Sequence, residues 1–438
     1  MGCRSRGEGA RISLRPCRSQ AMTEAALPAA RRAAVLFILI TVVLDMLAFG
    51  IVIPVLPKLV EQFMGGDTVS AARTYGLFGT SWALMQFIFS PVQGALSDRF
   101  GRRPVILASC FGLGADYLFM ALAPGVGWLL LGRVISGITS SSFSTAGAYI
   151  ADVTPPEKRA SAFGMIGAAF GIGFVLGPAI GGVLGHVDPR LPFWFAGGLA
   201  LLNACYGLFV LPESLPPERR TPTFSWKRAN PVGSLRLLRS HPDLLSLAGV
   251  NGLFQLAHFV LPSTYVLYAS YRYHWDAAAM GLSFALVGIC NILVQAVLVK
   301  PVVARLGERR TLLTGLTFAA LGYAAFGLAP TGALLMLSVP VFALSGLFGP
   351  GLQAMMTRRV APHEQGQLQG ANTSLMGMVG IVAPGIFTQT FAWFIDPQRS
   401  PWQVPGASFL LASLLALAAL LLAWRTARTA APAVAGPT

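Results

Sequence analysis

Long apolar runs separated by short polar ones set the pattern of this chain. Runs of membrane-spanning length lie at about 33–57, 75–96, 104–123, 127–150, 161–185 and 192–211, and a second set at about 244–269, 279–300, 311–329, 332–356, 369–393 and 404–424. A helix needs about 20 apolar residues to cross a bilayer. Only helices and closed barrels satisfy their backbone hydrogen bonds in lipid, and barrel strands of about 10 alternating residues do not fit these runs. The pattern predicts an all-α polytopic membrane protein with twelve transmembrane helices. The stretch 212–243 is polar, proline-rich and basic. It divides the chain into two six-helix halves, 33–211 and 244–424, with a basic tail at 1–32 and a second tail at 425–438. One short amphipathic helix is expected around Pro231–Ser240.

Composition sharpens this reading. Of 438 residues, 54% are hydrophobic and 11% charged, against about 25% charged in a soluble domain. That is too little polar surface for an ordinary soluble enzyme, and too apolar for a disordered chain. The net charge of +15 would suggest nucleic acid in a soluble protein, but where the charges sit matters more than their sum. With the N-terminus inside, the inner segments hold 26 of the 32 Lys and Arg, the outer ones 5, and Arg133 lies within a span. The positive-inside rule then places both termini in the cytoplasm, and no nucleic-acid partner is expected. The five cysteines show neither metal-ligand nor redox spacing. In the tail, Met-Gly-Cys lacks the Ser or Thr that lipidation wants at position 6, where Arg6 stands. Residues 1–21 read as a flexible basic tail, or as preceding a start at Met22.

Three ionisable residues lie well inside apolar runs: Asp45, Asp116 and Arg133. A charge at mid-bilayer costs ~2.5–3.5 kcal/mol even on the lenient insertion scale. Such groups persist when they face a wet cavity, pair, or carry protons. Asp45 lies near the midplane of the first run, and proton binding is its expected role. Asp116 and Arg133 fall within ~3 Å of one depth at 1.5 Å per residue. They are expected to pair across adjacent helices, either to hold them together or to take part in coupling.

The most specific stretch is Gly94-Ala-Leu-Ser-Asp98-Arg99-Phe-Gly101-Arg102-Arg103, between the second and third spans. Gly101 permits a tight turn. Asp98 can cap or pair across helix ends, and the arginines can bind carboxylates such as Asp152. A worn copy stands at the matching place in the second half, Lys300 to Arg309, with Arg305, Gly307 and Arg309 retained, Ala304 in place of the acid and Glu308 in place of an arginine. In the fifth span Gly173, Gly177, Pro178, Gly181 and Gly182 form a small-residue stripe that lets helices approach closely.

The 94–103 stretch resembles the signature cytoplasmic loop of the major facilitator superfamily at every fixed position, and the degenerate copy fits the two homologous halves of such transporters. The fifth-span glycines resemble the motif that marks antiporters in that superfamily. More narrowly, the chain is similar to the tetracycline/proton antiporter branch from about 35 to 424. The likeness is carried by Leu44-Asp45 through Pro57, Ser97 to Val105, Ala115 to Leu118, Gly132 to Thr139, Ile150 to Asp152, Arg272 with Trp275, and Gly366 to Gly370. The resemblance implies transport roles for Asp45, Asp98, Arg102, Arg103, Asp116, Arg133, Asp152 and Gln295. Tetracycline transporters of that branch carry a histidine in the eighth span and an aspartate in the ninth. Here Asn291 and Ala319 stand there, so strong tetracycline export is not expected.

These readings converge on a proton-coupled antiporter exporting a small amphipathic compound, a drug-efflux activity; the alternative is a proton symporter importing a nutrient. The expected partners are protons, a small-molecule substrate and the bilayer, with the chain acting as a monomer. Candidate cavity residues are Phe254, Gln255, His258, Asn291, Gln295 and Gln353. No nucleophile–base set, metal cluster or phosphate loop stands out, so neither an enzyme nor a cofactor or metal site is expected.

Overall fold

The structure, a computed structural model, describes residues 36–140, 142–154, 156–221, 242–360 and 364–429. The tail at 1–32, most of 212–243 with the expected amphipathic helix, and the last residues of the chain lie outside them. The described residues are helical and contain no strand.

The described helices are consistent with a twelve-helix fold. In the first half they are α1 (Leu36–Phe63), α2 (Thr68–Phe100), α3 (Arg102–Ala121), α4 (Val126–Thr139, resumed at Ser142–Val153), α5 (Pro156–Val187) and α6 (Leu191–Val210). The second half begins with α7 (Leu244–Tyr273). The eighth, α8, starts as Ala277–Leu293 and continues through a π-helical turn, Val294–Leu298. The next helix, Val299–Leu328, is broken at Gly307, so that its first part completes α8 and the remainder is α9. Then follow α10 (Gly332–Thr357), α11 (Gln365–Ile395) and α12 (Ala407–Thr429).

Local chemistry explains where these helices begin. Asp67 caps α2 by accepting from the N–H of Val69 at 3.0 Å, and Asp276 caps α8 by accepting from Ala279 at 2.8 Å. Gly101 (φ 105°) and Gly307 (φ 75°) turn the chain at equivalent places in the two halves. Both take the left-handed region that glycine enters without strain. The worn loop copy therefore keeps its turn although most of its side chains have changed. Several helices overrun the apolar runs: α2 extends past 75–96 at both ends, and α12 runs beyond 424 into the region read as tail.

The two sets of helices meet through two long contacts, α2 against α11 and α5 against α8. Small residues make both possible. A β-carbon at Gly79 would stand 2.7 Å from Pro384 on α11, and one at Gly182 would stand 2.7 Å from the Cα of Gly281 on α8. The second half packs around aromatics in tilted and edge-on contact, among them Tyr265, Tyr268, Tyr323, Phe326 and Phe409. Tyr268 and Tyr273 spend their hydroxyls on the carbonyls of Phe326 and Ala329, each at 2.7 Å, as buried polar groups must.

Candidate functional site

The loop after α2 is organised around Arg102. Its guanidinium bonds Asp98 Oδ1 and Ser97 Oγ, each at 2.6 Å, and Asp152 Oδ2 on α4 at 3.1 Å. Its backbone N–H donates to Glu213 Oε1 at 2.8 Å, and that of Arg103 to Glu213 Oε2 at 3.3 Å. Glu213 thus places a carboxylate on the first N–H groups of α3, where the helix dipole favours negative charge. Gly101 leaves the room: a β-carbon there would collide with the Glu213 carboxylate. Arg103 also donates to the carbonyl of Leu208 at 2.6 Å, while Arg99 lies over the Phe100 ring. Arg102 joins Asp98 and Asp152 in one network, to which Arg103 is linked through its backbone bond to Glu213. Ser97 and Glu213 join it, although Glu213 lies in a polar stretch that reads only as linker.

At the same place in the second half, Glu308 follows the turning Gly307 and pairs with Arg358, at the end of α10, at 2.7 Å. Arg102 follows Gly101 and pairs with Asp152, at the end of α4. The two ion pairs are equivalent with their charges exchanged, so the substitution of arginine by Glu308 keeps the contact.

Within the spans, Asp45, Asp116 and Arg133 are all buried (6%, 2% and 8% exposed). The expected Asp116–Arg133 ion pair does not form in this state. Neither carboxylate oxygen of Asp116 has a hydrogen-bond partner. One of them faces Gly132, where an added β-carbon would stand 3.1 Å away. Arg133 instead lies over the Trp82 ring of α2, 5.4 Å from its centroid. A planar cation on an aromatic face recovers part of its lost hydration, which the sequence order of the two residues could not reveal. Asp45 Oδ1 accepts from Asn203 Nδ2 of α6 at 2.9 Å and lies 3.9 Å from Cys110 Sγ of α3. Asn203, a single amide in an apolar run, carries no mark of this role in the sequence.

The fifth-span glycines serve two neighbours. Gly173, Gly177 and Gly181 press on α1, and a β-carbon at Gly177 would stand 2.7 Å from the Cα of Gly50. Pro178 packs on Gly50 as well, while Gly182 faces α8. One motif therefore holds α5 against its own half and against the other.

In the second half, four of the six cavity candidates converge on one stretch of α10. Phe254 stacks on Phe348 with centroids 3.7 Å apart, and the His258 ring lies between those of Phe254 and Phe342. His258 Nδ1 is 3.0 Å from Tyr323 Oη. Asn291 and Gln295 approach Gly346 from α8, and Gln295 donates to its carbonyl at 3.3 Å. Gln295 stands in the π-helical turn, a distortion found most often at functional sites. Gln255 reaches Met376 Sδ at 3.6 Å on α11. Gln353 joins neither group; its carbonyl accepts from Thr357. Ala319 is fully buried in the apolar core of α9.

At the end away from the loop, charged and polar groups tie the halves together. Arg73 of α2 pairs with Asp396 beyond α11 at 2.7 Å, and His186 of α5 with Asp276 before α8 at 3.1 Å. Lys58 Nζ donates to the carbonyl of Trp275 at 2.7 Å. Among the described residues, the side chains of Asp98, Arg99, Arg102 and Arg103 reach partners of their own half. Direct ion pairs and a hydrogen bond therefore join the halves at the Asp396 end.

This architecture matches known proteins. The model of the Major Facilitator Superfamily matches residues 38–384, with a second match over 247–437. The tetracycline resistance protein of class C from Escherichia coli is 39% identical over 384 residues, 88% of this chain and 96% of the relative. The class G protein from Vibrio anguillarum is 37% identical over 82% of this chain and 91% of its own length. Among solved structures, the human organic anion transporter MFSD10 superposes with a TM-score of 0.67 at 25% identity, covering 90% of this chain and 99% of that one. With its paired six-helix sets, its loop network and its whole-length relatives, this multi-pass membrane transporter belongs to the major facilitator superfamily.

Proposed function

We propose that the chain is a proton-driven antiporter exporting a small amphipathic compound across a bacterial cytoplasmic membrane, with both termini inside. The observation that carries this is the buried set of Asp45, Asp116 and Arg133 in one half of a transporter. Ionisable groups at that depth mark ion or proton pathways. Asp45 is the first proton carrier and Asp116 with Arg133 the second. Asp116, without a hydrogen-bond partner in this state, is placed to gain one, Arg133 or a proton, when the helices move. The whole-length kinship to proteins named for tetracycline resistance supports export of a drug-like molecule.

Alternating access requires two closures at opposite ends. With positive charge inside, the Arg73–Asp396 and His186–Asp276 pairs close the outer end. The Asp98–Arg102–Asp152 network is then the part that engages when the inner end closes. The second-half group around α10 supplies aromatic faces and neutral amides (Phe254, His258, Asn291, Gln295). Apolar surface with a few placed polar groups is how small-molecule sites recognise ring systems.

Transport assays in proteoliposomes holding the purified chain test this. A panel of toxic compounds is screened first in an efflux-deficient host. A compound the host tolerates is then offered to vesicles under an imposed pH gradient. Antiport predicts accumulation when the lumen is acid. Accumulation only when the outside is acid would establish symport instead.

A further inference from the structure

Asn203 is the one polar side chain on the buried face of α6, among Phe193, Ala196, Gly197, Ala200, Ala204 and Gly207. It is 1% exposed. An amide buried in a span costs free energy unless its hydrogen-bonding groups are used. Its Nδ2 is used twice: it donates to Asp45 Oδ1 at 2.9 Å and to the carbonyl of Thr41 at 3.2 Å. A carbonyl only accepts, so the Thr41 contact fixes which end of the amide faces α1. The other end, Oδ1, is buried and has no hydrogen-bond partner. Cys110 Sγ of α3 lies 3.9 Å from both Asp45 Oδ1 and Asn203 Nδ2.

A primary amide offers a donor and an acceptor side by side without carrying charge. A carboxylate needs the donor. A protonated carboxyl, which has become a donor through its O–H, needs the acceptor. Resting on the reading of Asp45 as proton carrier, we propose that Asn203 is the positioning residue of that site and serves both of its protonation states. When Asp45 is charged, Nδ2 donates to it, as in this structure. When Asp45 takes a proton on a carboxyl oxygen, that O–H donates to Asn203 Oδ1, which the structure leaves otherwise unpartnered. Turning the amide for the second state gives up its bond to the Thr41 carbonyl. The proton on Asp45 is thereby felt in the packing of α6 against α1, one turn before the acid. No charge is added at any stage, so the site loads and unloads without a fixed counter-charge from Asn203 holding it in one form.

The test needs no substrate. The full chain, purified and reconstituted in lipid, is titrated while its infrared difference spectrum is recorded in the carboxyl C=O stretching region. The Asp45 band is the one absent from Asp45→Asn. In Asn203→Leu, close in volume and apolar, that band is expected to move to higher wavenumber, because the carboxyl has lost its bond to Asn203. The amide C=O change that accompanies it in the parent should vanish. Asn203→Ala gives the same readout should the leucine variant accumulate poorly, and Asn203→Gln should restore part of the parent band position. An Asp45 band unmoved by all of these overturns the positioning role and leaves Asp45 as carrier intact. Absence of any titrating band that Asp45→Asn removes overturns the carrier reading itself.

Discussion

Asp45 shows how one side chain can be both buried and functional. It sits 6% exposed in α1 with Asn203 donating to it at 2.9 Å, a bond that helps a buried carboxylate keep its charge. Asn keeps the size of the side chain and one acceptor but cannot carry a proton. Asp45→Asn should therefore leave substrate exchange in vesicles close to the parent rate while gradient-driven accumulation collapses. Coupling energies between sites run to ~1–3 kcal/mol, or about 5–150-fold, so a loss of about tenfold or more is expected. Parent-level accumulation by this variant would move the carrier to Asp116. Asp98 poses a different question at the same scale. It is half-exposed and bonded to Arg102 at 2.6 Å, so its removal leaves no cavity. Asp98→Ala should reach the membrane in normal amount, seen by immunoblot, and yet transport almost nothing. Unimpaired transport would rule out a gating role for the acid.

At the scale of elements, the spans were legible because lipid imposes a length and a composition on each. The interior sites were legible only in part. Ionisable residues in apolar runs announce themselves by their cost, so Asp45, Asp116 and Arg133 stood out. Asn203 and Glu213 did not: one is a lone amide in an apolar run, the other an acid in a polar stretch. Pairing is harder still, because depth alone brought Asp116 and Arg133 together while Trp82, from a helix far off in sequence, holds the arginine. The fifth-span glycines read as a single stripe, but a one-residue step around a helix is about 100°, enough to aim Gly181 at α1 and Gly182 at α8. The degenerate loop yielded its meaning only in three dimensions, where Glu308–Arg358 mirrors Arg102–Asp152 with signs exchanged. If that pair does the same work, Glu308→Arg should depress transport by placing like charges together. Adding Arg358→Glu should restore it. Exposed pairs contribute only ~0.2–1 kcal/mol, so the expected loss is about two- to fivefold in initial rate, and failure of the double variant to recover would deny the pair a functional part.

For the whole molecule, kinship and chemistry pull in different directions over substrate. The chain aligns along nearly all of a tetracycline resistance protein, yet its second-half candidates are neutral amides and rings. Ala319 lies fully buried in the core of α9, where an acid would be both unsolvated and overpacked. Expression in an efflux-deficient host should raise the tolerated tetracycline concentration little, about twofold at most if the missing polar contacts are each worth ~1–3 kcal/mol. High-level resistance would show that Asn291 and its neighbours suffice. The conformational cycle offers the sharper test. Arg73–Asp396 ties α2 to the end of α11, partly buried at 33% and 13% side-chain exposure, and Arg399 supports the same carboxylate at 3.5 Å. Asp396→Asn removes the charge but keeps the shape, so the closed end loses one tie while His186–Asp276 and Lys58–Trp275 remain. A loss of ~1 kcal/mol from one state of a two-state equilibrium shifts the ratio about fivefold. Spin labels on α2 and α11 near that end should then report a larger open fraction, and transport should slow because reclosure becomes the harder step. High salt should mimic part of the effect in the parent and add little in the variant, since screening and mutation weaken the same pair. Unchanged distances in Asp396→Asn would mean that the glycine-lined contacts of α2 with α11 and α5 with α8 hold this end shut without help from charge.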